Sequence, residues 1–359
     1  MKSLSPDENY PEQRYEIGYR LDDDEFSFME MAQDFQPFID TVYFPWIDSP
    51  SGRAALGNRR GNIEWEAQQR LEEDLRQLKN MGIHLNLLLN ANCYGPLSTS
   101  TYLRNYVYSI LKHLAAIGAE ADIVTTCSPF IAEMVKEGFP SMLVRASVNM
   151  RIGTVEGMAY LAHLFDEYNI QREYNRDLAR LTELRQWADK NGKGLYLLAN
   201  SGCFNFCSSQ TFHDNLVAHE KEICEIDNPA GWAIPNCRRL LQKKENWKYI
   251  LQGSWIRPED IHQYSGMFPV IKLATRMHPN PGIILDAYVN QSYAAALTDL
   301  TEPGFSRELA PYMLINRLFP AEWFEKTTRC SKQCHRCGYC ESILDQLLVD
   351  TRMHTAPMV

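Results

Sequence analysis

Short apolar runs alternate with amphipathic stretches along most of this 359-residue chain. "TVYFPW" (41–46) precedes "NIEWEAQQRLEEDLRQLKNMG", where Ile63, Trp65, Leu71, Leu75 and Leu78 recur at helical spacing before a glycine stop. "IHLNLLLN" (83–90) precedes "TYLRNYVYSILKHLAAIG". "ADIVTT" (121–126) precedes "PFIAEMVKEG", with proline at the helix start and glycine at its end. "MLVRAS", "IQREY", "GLYLLANS", "KYILQGS" and "PVIKLATR" continue the series. Eight alternations predict a parallel sheet covered by helices, and the count favours a closed (β/α)8 TIM-type barrel. A doubly wound open sheet is the alternative, but no glycine-rich dinucleotide fingerprint or phosphate loop follows any of these strands. The expected organisation is a polar N-terminal arm (1–35), a barrel (36–300) and a C-terminal extension (301–359) carrying a short helix, "ESILDQLLVD".

Strand side chains alternate between faces, so each strand should send one set to the barrel axis. In "MLVRASVN" the polar set is Arg145, Ser147 and Asn149; in the last strand Lys272 and Arg276 oppose Ile271 and Leu273; Asn200 closes "GLYLLANS". These residues fall towards the C-terminal strand ends, where barrel enzymes build active sites. Arg145, Asn149, Asn200, Lys272 and Arg276 are therefore the candidate substrate residues, a set suited to a small anionic ligand. Salt-bridged or solvated rim positions are the plainer reading of any one of them.

Eight of the ten cysteines fall into two groups. Cys203, Cys207, Cys224 and Cys237 follow the "GLYLLANS" strand, and Cys330, Cys334, Cys337 and Cys340 sit within "RCSKQCHRCGYC". The compact second group has the spacings of the bacterial ferredoxin run in reversed order, which suits a four-iron cluster. Tetrahedral zinc takes the same ligands and is the alternative at that site. Cys330, Cys334 and Cys337 also spell the radical S-adenosylmethionine triplet, but after the last strand instead of the first. Cys93 and Cys127, at strand ends, are expected to be buried neutral thiols, with a fourth-ligand role as the lesser reading.

Composition decides between metal and disulfides. With 36 basic and 45 acidic residues the net charge is −9, so no global basic field favours RNA. The leading "MKSLSPDENYPEQRYEIGYRLDDDEF" lacks an apolar signal core, and no run reaches the length of a membrane span. A cytoplasmic protein is expected, where thiols stay reduced and clustered cysteines serve metals. No H-E-x-x-H or G-x-S-x-G motif is present.

"ASVNMRIGTVEGMAYL", "REYNRDLARLTELRQWADKNG", "LYLLANSGCFNFC" and "SWIRPEDIHQYSGMFPVIKLATRMHP" resemble the barrel of peptidase family U-32, over roughly residues 37–300. The family takes its name from collagenase-type peptidases. The resemblance also implies relatives that are oxygen-independent hydroxylases of ubiquinone precursors and RNA, holding a cluster on four cysteines. For the RNA-modifying branch it implies prephenate as hydroxyl donor. Carried over, the ligands would be Cys203, Cys207 and Cys224, the Cys203–Cys207 gap being shorter than in the hydroxylases and Cys237 arriving sooner. The resemblance thus implies an iron–sulfur oxidoreductase with one 4Fe-4S cluster in the barrel, beside the second expected in the extension. Its expected partners are an anionic donor, a same-family subunit and an electron-donor protein. A peptidase, or a structural metal module binding RNA or a partner protein, is the alternative.

Overall fold

Eight parallel strands form one sheet ordered β7-β6-β5-β4-β3-β2-β1-β8 in the computed structural model of the protein. The structure describes residues 13–21, 27–47, 49–50, 65–227 and 235–353, without the side chains of Lys221, Cys224 and Met353. The strands are β1 (Arg14–Gly18), β2 (Ile39–Pro45), β3 (His84–Leu89), β4 (Ile123–Thr126), β5 (Leu143–Ala146), β6 (Glu167–Asn169), β7 (Gly194–Tyr196) and β8 (Val270–Lys272). Beyond β7 the chain meets β8 through a Leu198–Lys272 bridge, with Ala199 N–H donating to the Lys272 carbonyl at 3.0 Å. This contact closes the (β/α)8 barrel.

The expected polar arm supplies β1, whose neighbours are β2 and β8. "RYEIG" is short and flanked by acidic residues, so its strand character rests on tertiary pairing. Two further expectations are corrected. "IQREY" contains a 3-10 turn at Arg172–Tyr174, the sixth strand lying just before it. "KYILQGS" opens with a helix, Lys248–Leu251, because Ile250 and Leu251 are buried against the C-terminal segments instead of the sheet.

The barrel is wrapped by α1 (Phe28–Asp34), α2 (Trp65–Asn80), α3 (Thr101–Ala116), α4 (Pro129–Gly138), α5 (Val155–Tyr160) and α6 (Leu178–Asn191). In α2, Leu71, Leu75 and Leu78 are fully buried, each contributing about 1.5–3 kcal/mol of burial. Trp65 is exposed, so it lies off that stripe, and Ile63 is outside the described residues. Ser100, Ser128 and Asp177 cap α3, α4 and α6 through side-chain oxygens that accept N–H bonds from the first turn. Helix α6 ends at Gly192, whose φ of 62° is the left-handed conformation glycine adopts freely.

After β7 come α7 (Gln210–Ala218), α8 (Glu220–Cys224), α9 (Asn236–Leu241) and α10 (Lys248–Leu251). After β8 follow α11 (Pro281–Val289), α12 (Ser306–Leu309), β9 (Tyr312–Leu314), α13 (Trp323–Thr328), α14 (Tyr339–Leu347) and β10 (Leu348–Asp350). Strands β9 and β10 pair antiparallel. Trp247, Leu251 and Trp255 join Phe305, Trp323 and Leu347 in a second apolar core distinct from that of the barrel. The C-terminal segment is thus packed on the α9–α10 insertion of the barrel. Gly202 marks the junction: its N–H donates to the Glu302 carbonyl at 2.9 Å, and a Cβ there would stand 2.1 Å from the Pro303 carbonyl oxygen.

Candidate active site

The barrel interior holds an ion-pair network whose centre is Glu16 of β1, fully buried. One carboxylate oxygen accepts from Arg145 Nη1 at 2.6 Å; the other accepts from Lys272 Nζ at 2.8 Å and from Asn86 Nδ2 at 2.7 Å. Register explains the meeting, since Glu16 lies opposite Lys272 on β8. Arg145 also donates from Nε to Glu167 at 2.8 Å and lies 3.6 Å over the Tyr196 ring, while Tyr196 donates its hydroxyl to Glu167 at 3.0 Å. Lys272 Nζ lies 3.6 Å over the Tyr43 ring.

Charge in this interior follows the number of partners. Burial alone would raise the Glu16 carboxyl, but Arg145 and Lys272 beside it hold it below the ordinary range. Lys272 shares that carboxylate with Arg145. Burial, together with Arg145 and Arg276, overcomes the attraction of Glu16 and brings its ammonium down to about 8. A lysine at that value can exchange a proton near neutral pH, which suits acid–base work. Arg145 moves the other way: burial opposes its charge, yet Glu16 and Glu167 together raise it above the ordinary value. Its Nη2 has no hydrogen-bond partner among the described residues.

The sequence-predicted residues thus take different positions. Arg145 and Lys272 come together in the lumen, and Arg276 is buried close enough to influence Lys272 and Tyr43. Asn200 is fully buried and occupied by backbone: its Nδ2 donates to the carbonyls of Ala274 and Leu300, and its Oδ1 accepts from Ala274 N–H at 2.6 Å. It ties β7, β8 and the C-terminal segment together. Asn149 is half-buried on the turn after β5, its N–H bonded to Ser147 Oγ at 3.3 Å. Beside the mouth, a cleft of about 1200 Å3 is lined by residues that include Arg238, His278, Glu302 and Arg307, and by none of these five.

Glu16, Glu167 and Tyr196 were not expected as site residues. The available signal was a single carboxylate in the middle of "RYEIG", with an arginine and a lysine at matching inward positions elsewhere. Cys127 donates to the Asn90 carbonyl and to Asn92 Oδ1, and burial pushes its thiol up to about 12. That is the opposite of an activated nucleophile.

The fold gathers both cysteine groups. Cys237 is raised by burial and by the nearby Cys203 and Cys207, although thirty residues separate it from Cys207. The side chain of Cys224 lies outside the described residues. In the tail, burial and the neighbours Cys330 and Cys337 raise Cys334. Burial pushes Cys340 up to about 11 against the pull of Arg176. Among the described residues no group of three or more His, Cys, Asp or Glu side chains is closed around a metal-sized point. The thiols are neighbours without forming a finished cage. In the tail, Cys330 Sγ accepts the Lys332 N–H at 3.2 Å.

No family model matches the chain. A protein of Methanocaldococcus jannaschii described as an uncharacterized protease is 23% identical over 303 residues, spanning 82% of this chain and 86% of that protein. The solved structure of the U32 peptidase Mk0906 superposes with a TM-score of 0.52 at 15% identity, covering 75% of this chain and 94% of that one. An endo-β-1,4-mannanase from Thermotoga petrophila reaches a TM-score of only 0.40 at 11% identity, covering 74% of this chain and 68% of that one, too distant to bear on function. The U32 barrel is consistent with the eight-strand architecture described above, and among the described residues no helix is long and apolar enough to cross a membrane. The archaeal relative and the solved U32 barrel are what this chain is similar to, in sequence and in fold respectively.

Proposed function

We propose that this U32-like barrel is a metal-dependent redox enzyme that binds a small anionic donor in the barrel and keeps thiol-bound metal on its two cysteine groups. The finer reading is oxygen-independent hydroxylation, or a related oxygen or sulfur transfer, on a small-molecule or RNA acceptor. The observation that carries it is the approach of Cys237 to Cys203 and Cys207. Local spacing cannot produce that approach, so it is a product of the fold, at the C-terminal end of a barrel strand where such enzymes react. Cys203, Cys207, Cys224 and Cys237 would hold one cluster and Cys330, Cys334, Cys337 and Cys340 the other, zinc being the alternative in the tail. When bound, a cluster supplies one-electron transfer.

The chain's own residues supply the rest. Arg145, fixed by Glu16 and Glu167, keeps its Nη2 without a partner among the described residues, to meet an anionic group. Lys272 holds or releases a proton near neutral pH at Nζ. A peptidase is the second reading, and the descriptions of the relatives support it better than they support a hydroxylase. The test is anaerobic purification of the full chain followed by iron, sulfide and zinc analysis, alongside a peptide-cleavage assay. About eight irons with matching sulfide per chain is the expected result for two four-iron clusters. A metal-free protein that cleaves peptides would overturn the redox reading.

A further inference from the structure

We propose that the cleft of about 1200 Å3 beside the barrel mouth is a binding groove for an extended polypeptide segment that carries lysine or arginine. The inference goes beyond the reading above and stands whether the barrel carries out redox chemistry or peptide cleavage, because it needs no metal. The cleft begins at two strand exits. Met277 directly follows Arg276 beyond β8, and Glu302 bridges to Ser201 beyond β7. Glu302 is fixed there through its backbone: its N–H donates to the Asn200 carbonyl at 3.0 Å, and its carbonyl accepts from Gly202 N–H at 2.9 Å. The α7–α9 insertion supplies Glu220 and Arg238 to the lining, and α12 supplies Arg307 and Glu308. The space exceeds the roughly 300–1,000 Å3 of ordinary small-molecule pockets, which favours a chain segment over a single small cation.

Charge selects the ligand. Among the described residues the lining carries four carboxylates, Glu220, Asp299, Glu302 and Glu308, against two guanidinium groups, Arg238 and Arg307. Arg238 is already committed, donating to Glu308 Oε1 and lying 5.8 Å from the Phe305 ring. The other Glu308 oxygen is buried with no hydrogen-bond partner among the described residues, in a side chain only 10% exposed. A carboxylate oxygen in that position is costly until a donor reaches it. Asp299, half-buried, accepts from the Tyr293 hydroxyl at 3.4 Å and the Ser306 hydroxyl at 3.3 Å, both long for such bonds. A carboxylate can accept about four bonds, so both acids keep room for an incoming ammonium or guanidinium. Met277 and Ile283 are exposed apolar residues of the same lining, a surface for the aliphatic stem of a lysine whose head reaches the acids. The same acidic excess repels the phosphates of a nucleic acid.

The experiment uses the full chain and a fluorescently labelled peptide of alternating lysine and leucine, with binding read by fluorescence anisotropy. The same peptide with glutamate in place of lysine, and a single-stranded RNA oligomer, are the comparisons. The lysine peptide should bind and the other two should not. Asp299→Asn and Glu308→Gln should each weaken binding about tenfold, as the loss of a charge-assisted hydrogen bond does. Glu220→Lys, at an exposed position, should weaken it several-fold, by a factor that shrinks as salt is raised, and leave the thermal midpoint unchanged. That variant and Asp299→Asn decide the outcome if Glu308→Gln fails to fold. Equal binding of the lysine and glutamate peptides overturns the proposal, and so does lysine-peptide binding that survives both Glu220→Lys and Asp299→Asn. RNA that binds more tightly than the lysine peptide overturns it as well, and a wild type that binds none of the three does the same. Each of these results leaves the metal reading standing, since iron and sulfide analysis tests that separately.

Discussion

Two buried arginines divide the molecule. Arg145 in the barrel meets two carboxylates within 2.8 Å, and its charge is reinforced. Arg176, in the second apolar core, meets two indole faces and one carbonyl; burial dominates there and weakens its charge. Burial is common to both, so the partner decides the outcome. The barrel carries its counter-charges in its own sequence, on β1 and β6. The tail has side chains whose charge depends on what they bind. One region is complete as polypeptide, and the other, on the reading above, is completed by metal.

The largest expected effect tests the self-sufficient half. Glu16→Gln removes the carboxylate shared by Arg145 and Lys272 and should cost about 3–5 kcal/mol, the usual penalty for breaking a buried pair on one side. Urea denaturation, with and without chelator, checks it. A loss that depends on chelator would show that barrel and tail are not separable.

An intermediate effect lies in pH. Lys272 folds with a pKa near 8, below its ordinary 10.5. Between those values the unfolded chain holds the proton and the folded chain does not, so this residue makes stability rise with pH there. Below about pH 8 both forms are protonated and its contribution is flat. Lys272→Met should remove that rise, read as the urea midpoint between pH 8 and 10.5. An unchanged slope would mean that Lys272 keeps its ordinary proton affinity. Glu16 acts at the other end: its carboxyl is held below 4.5, so the stability it contributes is present above that value and fades as pH falls.

The smallest effect belongs to the tail surface. Arg329 and Glu325 pair at 2.8 Å on α13 while remaining 79% and 64% exposed. Glu325→Ala should change stability by less than about 0.5 kcal/mol, since exposed pairs contribute little. A larger loss by thermal denaturation would mean that α13 is stabilised by its surface and not by Trp323.

What could be read in advance follows from how local each signal is. Amphipathic helices such as α3, with Ser100 as cap and Leu103, Val107, Ile110 and Leu114 on one face, declare themselves within a few turns. So does the inward placement of Arg145 and Lys272, because alternation along a strand is a local property. "RYEIG" gave no such signal, for a glutamate at a strand centre reads as solvent-facing until its counter-ions are known. Trp65 misled for the opposite reason: an aromatic at helical spacing need not lie on the buried face. Asn200 was legible in position but not in role, because the carbonyls it binds come from Ala274 and Leu300, far along the chain.

The closure of the barrel through β1 and β8 also sets a schedule for synthesis. Glu16 leaves the ribosome 129 residues ahead of Arg145 and 256 residues ahead of Lys272. At about 5–20 residues per second, the β1 edge that awaits β8 stays open for roughly 13–50 seconds. For that interval the nascent chain displays an unpaired strand edge and a carboxylate without its lysine. The wait ends only when the last strand of the barrel has been made.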